Sequence, residues 1–324
     1  MAQMSNGGIL VTGATGFVGN AVCAALVAKH SVRGVARQLD ASPPLLEHVE
    51  LVSGELSADF DWSGALVGIR MVVHCAARVH VMNEVSSDPL AEFRRVNVAG
   101  TVQLARQAAA AGVKRFIFLS SIKVNGEQTQ IGSPFSADQM PNPADSYGVS
   151  KMEAEEGLRT LARETGMEVV IIRPPLVYGP GVKANFLAMM RVLYRGFPLP
   201  LGSVTQNKRS LVALDNLVDF VVTCLAHPAA ANQTFLVSDA ESLSTSALLN
   251  RMAKALGRPA RLFPVPVSWL KLGARLIGKR DMAQRLCDSL EIDIRKNQEL
   301  LGWAPRVDVD EGLRRVVDCM NTHG

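Results

Sequence analysis

Tyr147 and Lys151 stand four residues apart in DSYGVSK, residues 145–151. On a helix that spacing puts both side chains on one face. An ammonium beside a phenol favours the phenolate and draws the phenol down from a pKa of about 10, giving a proton donor and acceptor usable near neutrality. The same spacing fits an ordinary amphipathic helix end, so the reading depends on its company. FLSSIKVNGE at 118–127 ends a predicted strand with Ser120 and Ser121, either of which can hydrogen-bond a substrate oxygen while Tyr147 moves its proton. ILVTGATGFVGNAV at 9–22 sets Gly13, Gly16 and Gly19 between two apolar runs. A strand, a glycine turn and a helix opening near Phe17 bring backbone N–H groups up to a pyrophosphate. Together these parts describe hydride transfer between a nicotinamide dinucleotide and a carbinol carbon.

Such a constellation needs a sheet whose strand ends converge. β-branched runs at 8–12, 32–36, 49–52, 71–75, 115–120 and 168–173 alternate with helical patterns at 17–29, 90–112 and 147–165. That alternation is what a parallel sheet with crossover helices requires, because each crossover must cover a sheet face. The predicted fold class is α/β, a doubly wound parallel sheet (Rossmann) over residues 1–178 with a smaller substrate-binding lobe over 179–324. Prolines in RPPLVYGPG and GFPLPLG break the alternation after Arg173, and strand-like runs at 209–214 and 234–239 suggest that the sheet resumes, so the two parts should be interleaved.

A dinucleotide site for NAD carries an acid about 20 residues beyond the loop, at the end of the second strand. No Asp or Glu lies between Gly19 and Leu39; Ala36 takes the position and Arg37 follows it. A guanidinium there suits a 2′-phosphate through paired donors, so NADP(H) is expected over NAD(H), with Asp40 as the group that would restore an NAD site.

Composition narrows the partners. The chain has 324 residues, of which 48% are hydrophobic, and 34 basic against 30 acidic residues give a formal net charge of +4. It has neither the basic runs nor the interleaved aromatics of a nucleic-acid groove. Five scattered cysteines without a C-x-x-C pair argue against a disulfide framework or a zinc knuckle and for a reducing cytoplasm. No apolar stretch approaches the roughly 20 residues that span a bilayer. SWLKLGARLIGKRDMAQR at 268–285 interleaves Leu and Ile with Lys271, Arg275, Lys279, Arg280 and Arg285. A substrate-lobe helix with one packed face is expected there, and loose association with a membrane surface is the alternative.

TGATGFVG, HCAA at 74–77, VNVAGT at 96–101, SSIKVNG, YGVSK and RPPLVYGPG occur in the order seen in extended short-chain dehydrogenases/reductases acting on nucleotide sugars, and the likeness spans about residues 8–320. The resemblance implies a catalytic triad of Ser121, Tyr147 and Lys151. It implies cofactor contacts from Gly13, Thr15, Gly16, Phe17, Val18, Gly19, Arg37, Glu55, Leu56, Ala76, Ala77, Asn97, Ser120, Tyr147, Lys151 and Pro174. Glu55 stands where the family usually has an Asp. Substrate contacts are expected from Arg78, Ser121, Lys123, Asn185 and Arg209, with Arg209 and Asn185 as candidates for the diphosphate and His80 as a weaker one for the sugar.

Dehydratases of this group carry an Asp-Glu pair after the catalytic hydroxyl; Ile122 and Lys123 stand there instead, which argues against that chemistry. SSIKVNGE also resembles bacterial reductases of UDP-4-keto-6-deoxy-N-acetylhexosamines, which make donors for O-antigen. C4 ketoreduction of such a UDP-linked keto sugar is therefore the expected reaction, with UDP-hexose 4-epimerisation through bound NAD as the alternative. Retention of both Tyr147 and Lys151 speaks against a pure binding module. A homodimer through helices corresponding to 90–112 and 147–165 is expected from the resemblance alone.

Overall fold

A computed structural model describes residues 7–39, 48–79 and 88–322 of the chain. Its first half runs β1 (Gly8–Thr12), α1 (Phe17–Leu26), β2 (Val32–Ala36), β3 (Glu50–Ser53), α2 (Ser63–Leu66) and β4 (Ile69–His74). It continues through α3 (Pro89–Phe93), a π-helical turn (Arg94–Gly100), α4 (Thr101–Ala110), β5 (Arg115–Leu119), α5 (Ser146–Thr165) and β6 (Glu168–Arg173). The helix predicted over 90–112 is thus three pieces, with the widened turn in the middle carrying Asn97. π-Turns interrupt the regular ladder and concentrate at functional sites.

The second half comprises β7 (Leu176–Tyr178), α6 (Ala184–Tyr194), β8 (Arg209–Ala213), α7 (Leu214–Ala226), β9 (Thr234–Leu236), β10 (Ser242–Leu243) and α8 (Thr245–Ala255). α9 (Val267–Leu276), α10 (Arg280–Cys287), α11 (Arg295–Leu301) and α12 (Val309–Thr322) complete it. Seven strands form one sheet in the order β3-β2-β1-β4-β5-β6-β9, parallel throughout. Its central strands read as continuous apolar runs because helices cover both faces. α1 and α7 close one face over Val11, Val22, Ile117, Val170 and Phe220. α4 and α5 close the other over Leu10, Leu104, Phe116, Phe118 and Leu158.

The order reverses between β1 and β4, and it is at the carboxyl ends of strands beside such a switch point that open α/β sheets bind ligands. Two departures from the predicted course follow from proline and glycine. Pro174 and Pro175 cannot donate to a ladder, so the chain leaves β6 and starts a second sheet at Leu176. The run at 209–214 joins that second sheet, of order β10-β8-β7, and only 234–236 returns to the main one, beside β6. The run at 268–285 is two helices because Gly278, at φ 70°, takes the left-handed conformation that ends a helix. Tyr178, Phe186, Leu249 and Leu313 belong to a separate apolar cluster beside the second sheet. Among the described residues no helix is long and apolar enough to cross a membrane.

Candidate functional site

The glycine turn joins β1 to α1. Gly13 has φ +68°, and a Cβ there would lie 3.0 Å from the Ala76 nitrogen, so the turn rests directly on the loop leaving β4. A Cβ on Gly19 would lie 2.1 Å from the Gly13 oxygen, which explains why the helix starts so close beneath the turn. Gly16 is the N-cap and supplies no side-chain bond. The first-turn N–H groups of Phe17, Val18 and Gly19 therefore have no cap and no intrahelical acceptor, an arrangement fitted to a pyrophosphate. Thr15 is exposed on the same turn.

Arg37 follows the last residue of β2 and is exposed; Ala36, beside it, is buried. Asp40 and His80 lie outside the described residues. Glu55 is exposed after β3, and Leu56 is buried under Gly100, where a Cβ would meet the Leu56 backbone at 2.8 Å. At the end of β4, half-buried Ala76, Ala77 and Arg78 are held by Asn97. The Asn97 Oδ1 accepts from the Arg78 N–H at 2.8 Å, while its amide donates to the Arg78 carbonyl at 3.0 Å and to Ser150 Oγ at 3.1 Å. Ser150 Oγ in turn donates to the Tyr147 carbonyl at 2.8 Å, so the π-turn ties the β4 loop to the first turn of α5.

α5 starts where Asp145 accepts from the Gly148 N–H at 2.7 Å and stops at Gly166, φ 73°. A Cβ on Gly148 would lie 2.8 Å from the Lys123 oxygen; glycine there lets the 3-10 turn Ile122–Val124 press against the turn bearing Tyr147. The two serines left open by the sequence take different roles. Ser120 is buried and donates to Glu155 at 2.6 Å. Ser121 caps the 3-10 turn, accepting from the Lys123 N–H at 3.2 Å, which leaves its own proton for another acceptor. Pro174 ends β6, and its carbonyl accepts from the Ile122 N–H at 3.0 Å.

Lys151 is buried, donates to the Leu119 carbonyl at 2.7 Å and lies 4.2 Å from the centre of the Phe118 ring. Burial draws its pKa down to about 7 against the opposing pull of Glu155 and Cys75. The expected lowering of Tyr147 is not found. Burial first, and then the Asp145 carboxylate, push the phenol up to about 12. The Lys151 ammonium points at the carbonyl and the ring, and no hydrogen bond joins it to the phenol.

The substrate candidates are less concentrated. Lys123 ion-pairs with Asp145 and with Glu127, the latter at 3.3 Å, which occupies the charge that was expected to meet substrate. Asn185 is exposed in the first turn of α6. Arg209 opens β8, half-buried, and donates to the Asp288 carbonyl at 3.1 Å; burial lowers its pKa. A surface cleft lined by Lys29, Arg33 and Gly68 opens at the amino ends of β1 and β2, on the opposite edge of the sheet.

A match to the family described as NAD dependent epimerase/dehydratase covers residues 9–238. A UDP-glucose 4-epimerase of Vibrio cholerae is 49% identical over 314 residues, 96% of this chain and 94% of that protein. The chain belongs to the NAD-dependent epimerase/dehydratase family. A UDP-glucose 4-epimerase of Mycolicibacterium smegmatis is 30% identical over 95% of this chain and 97% of its own. The crystal structure of UDP-glucuronic acid 4-epimerase from Bacillus cereus with NAD superposes with a TM-score of 0.78 at 22% identity, covering 97% of this chain and 96% of that one, a likeness of fold.

Behind the site lies a buried polar layer that sequence reading missed. Glu155, fully buried, accepts from Arg173 Nε at 2.8 Å and Nη2 at 2.5 Å, from Arg159 at 2.9 Å and from Ser120. Arg173 also donates to Asn125 at 2.9 Å. Glu155 was findable as the residue one turn after Lys151, and Arg173 as the charge ending an apolar run. His74, held between Thr12 at 2.6 Å and Thr101 at 2.9 Å, is kept neutral by burial, with its pKa down to about 3. His74 opens the HCAA motif at 74–77, but its burial and its threonine partners come from distant segments. No cluster of His, Cys, Asp or Glu suited to a metal occurs among the described residues.

Proposed function

We propose that this chain is a UDP-sugar 4-epimerase that works through a nicotinamide dinucleotide retained on the glycine turn. The observation that carries this reading over the ketoreductase expected from the sequence is the 49% identity, across nearly its whole length, to a protein named for that activity. The dinucleotide supplies uptake and return of a hydride. Tyr147 exchanges a proton at the sugar's C4 oxygen, and Ser121 donates a hydrogen bond to the same oxygen. Lys151, one turn after Tyr147 on α5 and held by the Leu119 carbonyl and the Phe118 ring, supplies a cation to bias that exchange. Arg209 and Asn185 hold the diphosphate. Absence of a carboxylate pair after Ser121 supports epimerisation over dehydration.

A second reading is kept because one observation favours it. Arg37, exposed past β2 with no acid on that strand, suits NADPH, the cofactor of a net C4 reduction of a UDP-4-keto-6-deoxy-N-acetylhexosamine. A cytoplasmic homodimer through α4 and α5 belongs to either reading. Ala105 and Ala108 would not form its interface, since they cover the sheet.

The test offers UDP-glucose and UDP-N-acetylglucosamine without added cofactor, then enzymatically made UDP-4-keto-6-deoxy-N-acetylglucosamine with NADPH or NADH, with NMR of the products. Interconversion of C4 epimers without net cofactor consumption is expected, and Tyr147→Phe should abolish it. Stoichiometric oxidation of NADPH with only the keto sugar turning over would replace the epimerase by the reductase.

A further inference from the structure

From the outer face of the α9–α10 hairpin we infer a docking surface for an anionic lipid bilayer. The sequence led us to expect one packed face here, yet α9 has no buried residue and α10 only Ala283. Trp269, Leu272 and Leu276, spaced three and four apart on one face of α9, are 72%, 57% and 79% exposed. Ile277 and Met282 continue the exposed apolar surface past the bend. Half-buried Val267, Leu270 and Ala274 lie on the opposite side of α9, which packs against α10, so the outward row is a second apolar face. A contiguous exposed apolar face of this kind marks an interaction site.

Charge selects the occupant. Residues 267–287 carry Lys271, Arg275, Lys279, Arg280 and Arg285 against the single carboxylate of Asp281, a net +4, which equals the formal net charge of the whole 324-residue chain. Lys271 is tied to Asp288 at 2.6 Å, while Arg275, Lys279, Arg280 and Arg285 have no ion pair among the described residues. An apolar row flanked by free cations is matched by a surface that is anionic outside and hydrocarbon beneath. With Asp288 counted, a second copy of the hairpin would set +3 against +3, and like-charge juxtaposition opposes that pairing.

The hairpin is also anchored. The Leu286 carbonyl accepts from Thr245 Oγ1 at 2.6 Å, and the Asp288 carbonyl accepts from Arg209 at 3.1 Å. Docking would thus hold the small lobe itself against the lipid, independently of which reaction the protein catalyses.

Trp269 makes this testable in the full-length protein, because the other two tryptophans, Trp62 and Trp303, are buried. Vesicles of phosphatidylglycerol and phosphatidylethanolamine are compared with phosphatidylcholine vesicles by flotation and by tryptophan emission. Co-flotation with the anionic vesicles alone is expected, with a blue-shifted emission that brominated acyl chains quench and that salt reverses. L272S/L276S should abolish insertion, and R275Q/K279Q should weaken partition by about fivefold per charge removed. These side chains are exposed, so both variants should keep the wild-type melting temperature; should either fail to fold, quenching of the unaltered protein decides. Absence of flotation and quenching with anionic vesicles at low salt overturns the inference. So does a blue shift that grows with protein concentration without lipid, which would assign the face to a second copy.

Discussion

Replacing Arg173 with methionine removes the main counter-charge from a carboxylate that has no access to water. Arg173 is 1% exposed and Glu155 0%, and the pair is joined by two hydrogen bonds of 2.8 and 2.5 Å. Breaking a buried pair by removing one partner typically costs about 3–5 kcal/mol, because the charge left behind is uncompensated. Arg159 remains 2.9 Å from Glu155 with a side chain 37% exposed, and Ser120 still donates, so the lower end of that range is expected. At about 2–4 °C per kcal/mol the melting temperature should fall by roughly 6–12 °C. Thermal unfolding followed by circular dichroism measures this. Adding Glu155→Leu to the same chain removes the stranded charge as well, and should recover part of the loss. A single variant within about 1 kcal/mol of the wild type, or a double variant as destabilised as the sum of both single ones, would refute the account of Glu155 as a charge that needs Arg173.

Other outcomes follow from the same geometry. Lys151 has its pKa drawn down to about 7 in the folded protein, below its ordinary 10.5, so the unfolded chain binds more protons between those values and stability rises with pH. From pH 7 to 8, before the thiols of Cys23, Cys75 and Cys224, which burial shifts upward in the folded protein, reverse the trend, the gain should be about 1 kcal/mol without dinucleotide. Lys151→Met should flatten that slope in urea titrations, and an unchanged slope would assign it elsewhere. Gly19→Ala places a methyl 2.1 Å from the Gly13 oxygen, and should strain the turn by about 1–3 kcal/mol, read as a 5- to 150-fold weaker dinucleotide dissociation constant in calorimetry.

Local pattern determined a good part of this protein. The continuous apolar runs at 8–12, 115–119 and 168–173 could be satisfied only as strands covered on both faces, and the glycines at 13, 16 and 19 mark a turn that no side chain can enter. Helix α5 was legible through Asp145 at its start and Gly166 at its end, and with it the shared face of Tyr147 and Lys151. Those features depend on chain neighbours, and periodicity records them directly.

What depends on distant partners was decided by tertiary structure. Ser120 and Ser121 are equivalent in sequence, and only the approach of Glu155 from α5 separates a buried structural serine from an outward one. Lys123, chemically suited to a phosphate, is taken by Asp145 because Gly148 lets the two turns meet. The run at 209–214 has strand composition either way, and the prolines after Arg173 together with β7 determine which sheet it joins. Burial sets the protonation of Tyr147, since removing a phenol from water opposes its ionisation and the Asp145 carboxylate adds to that, while Lys151 is directed at a carbonyl. The 268–285 run shows the same limit from the other side: its composition allowed a packed helix or a surface one, and only its position outside every core left Trp269, Leu272 and Leu276 in water.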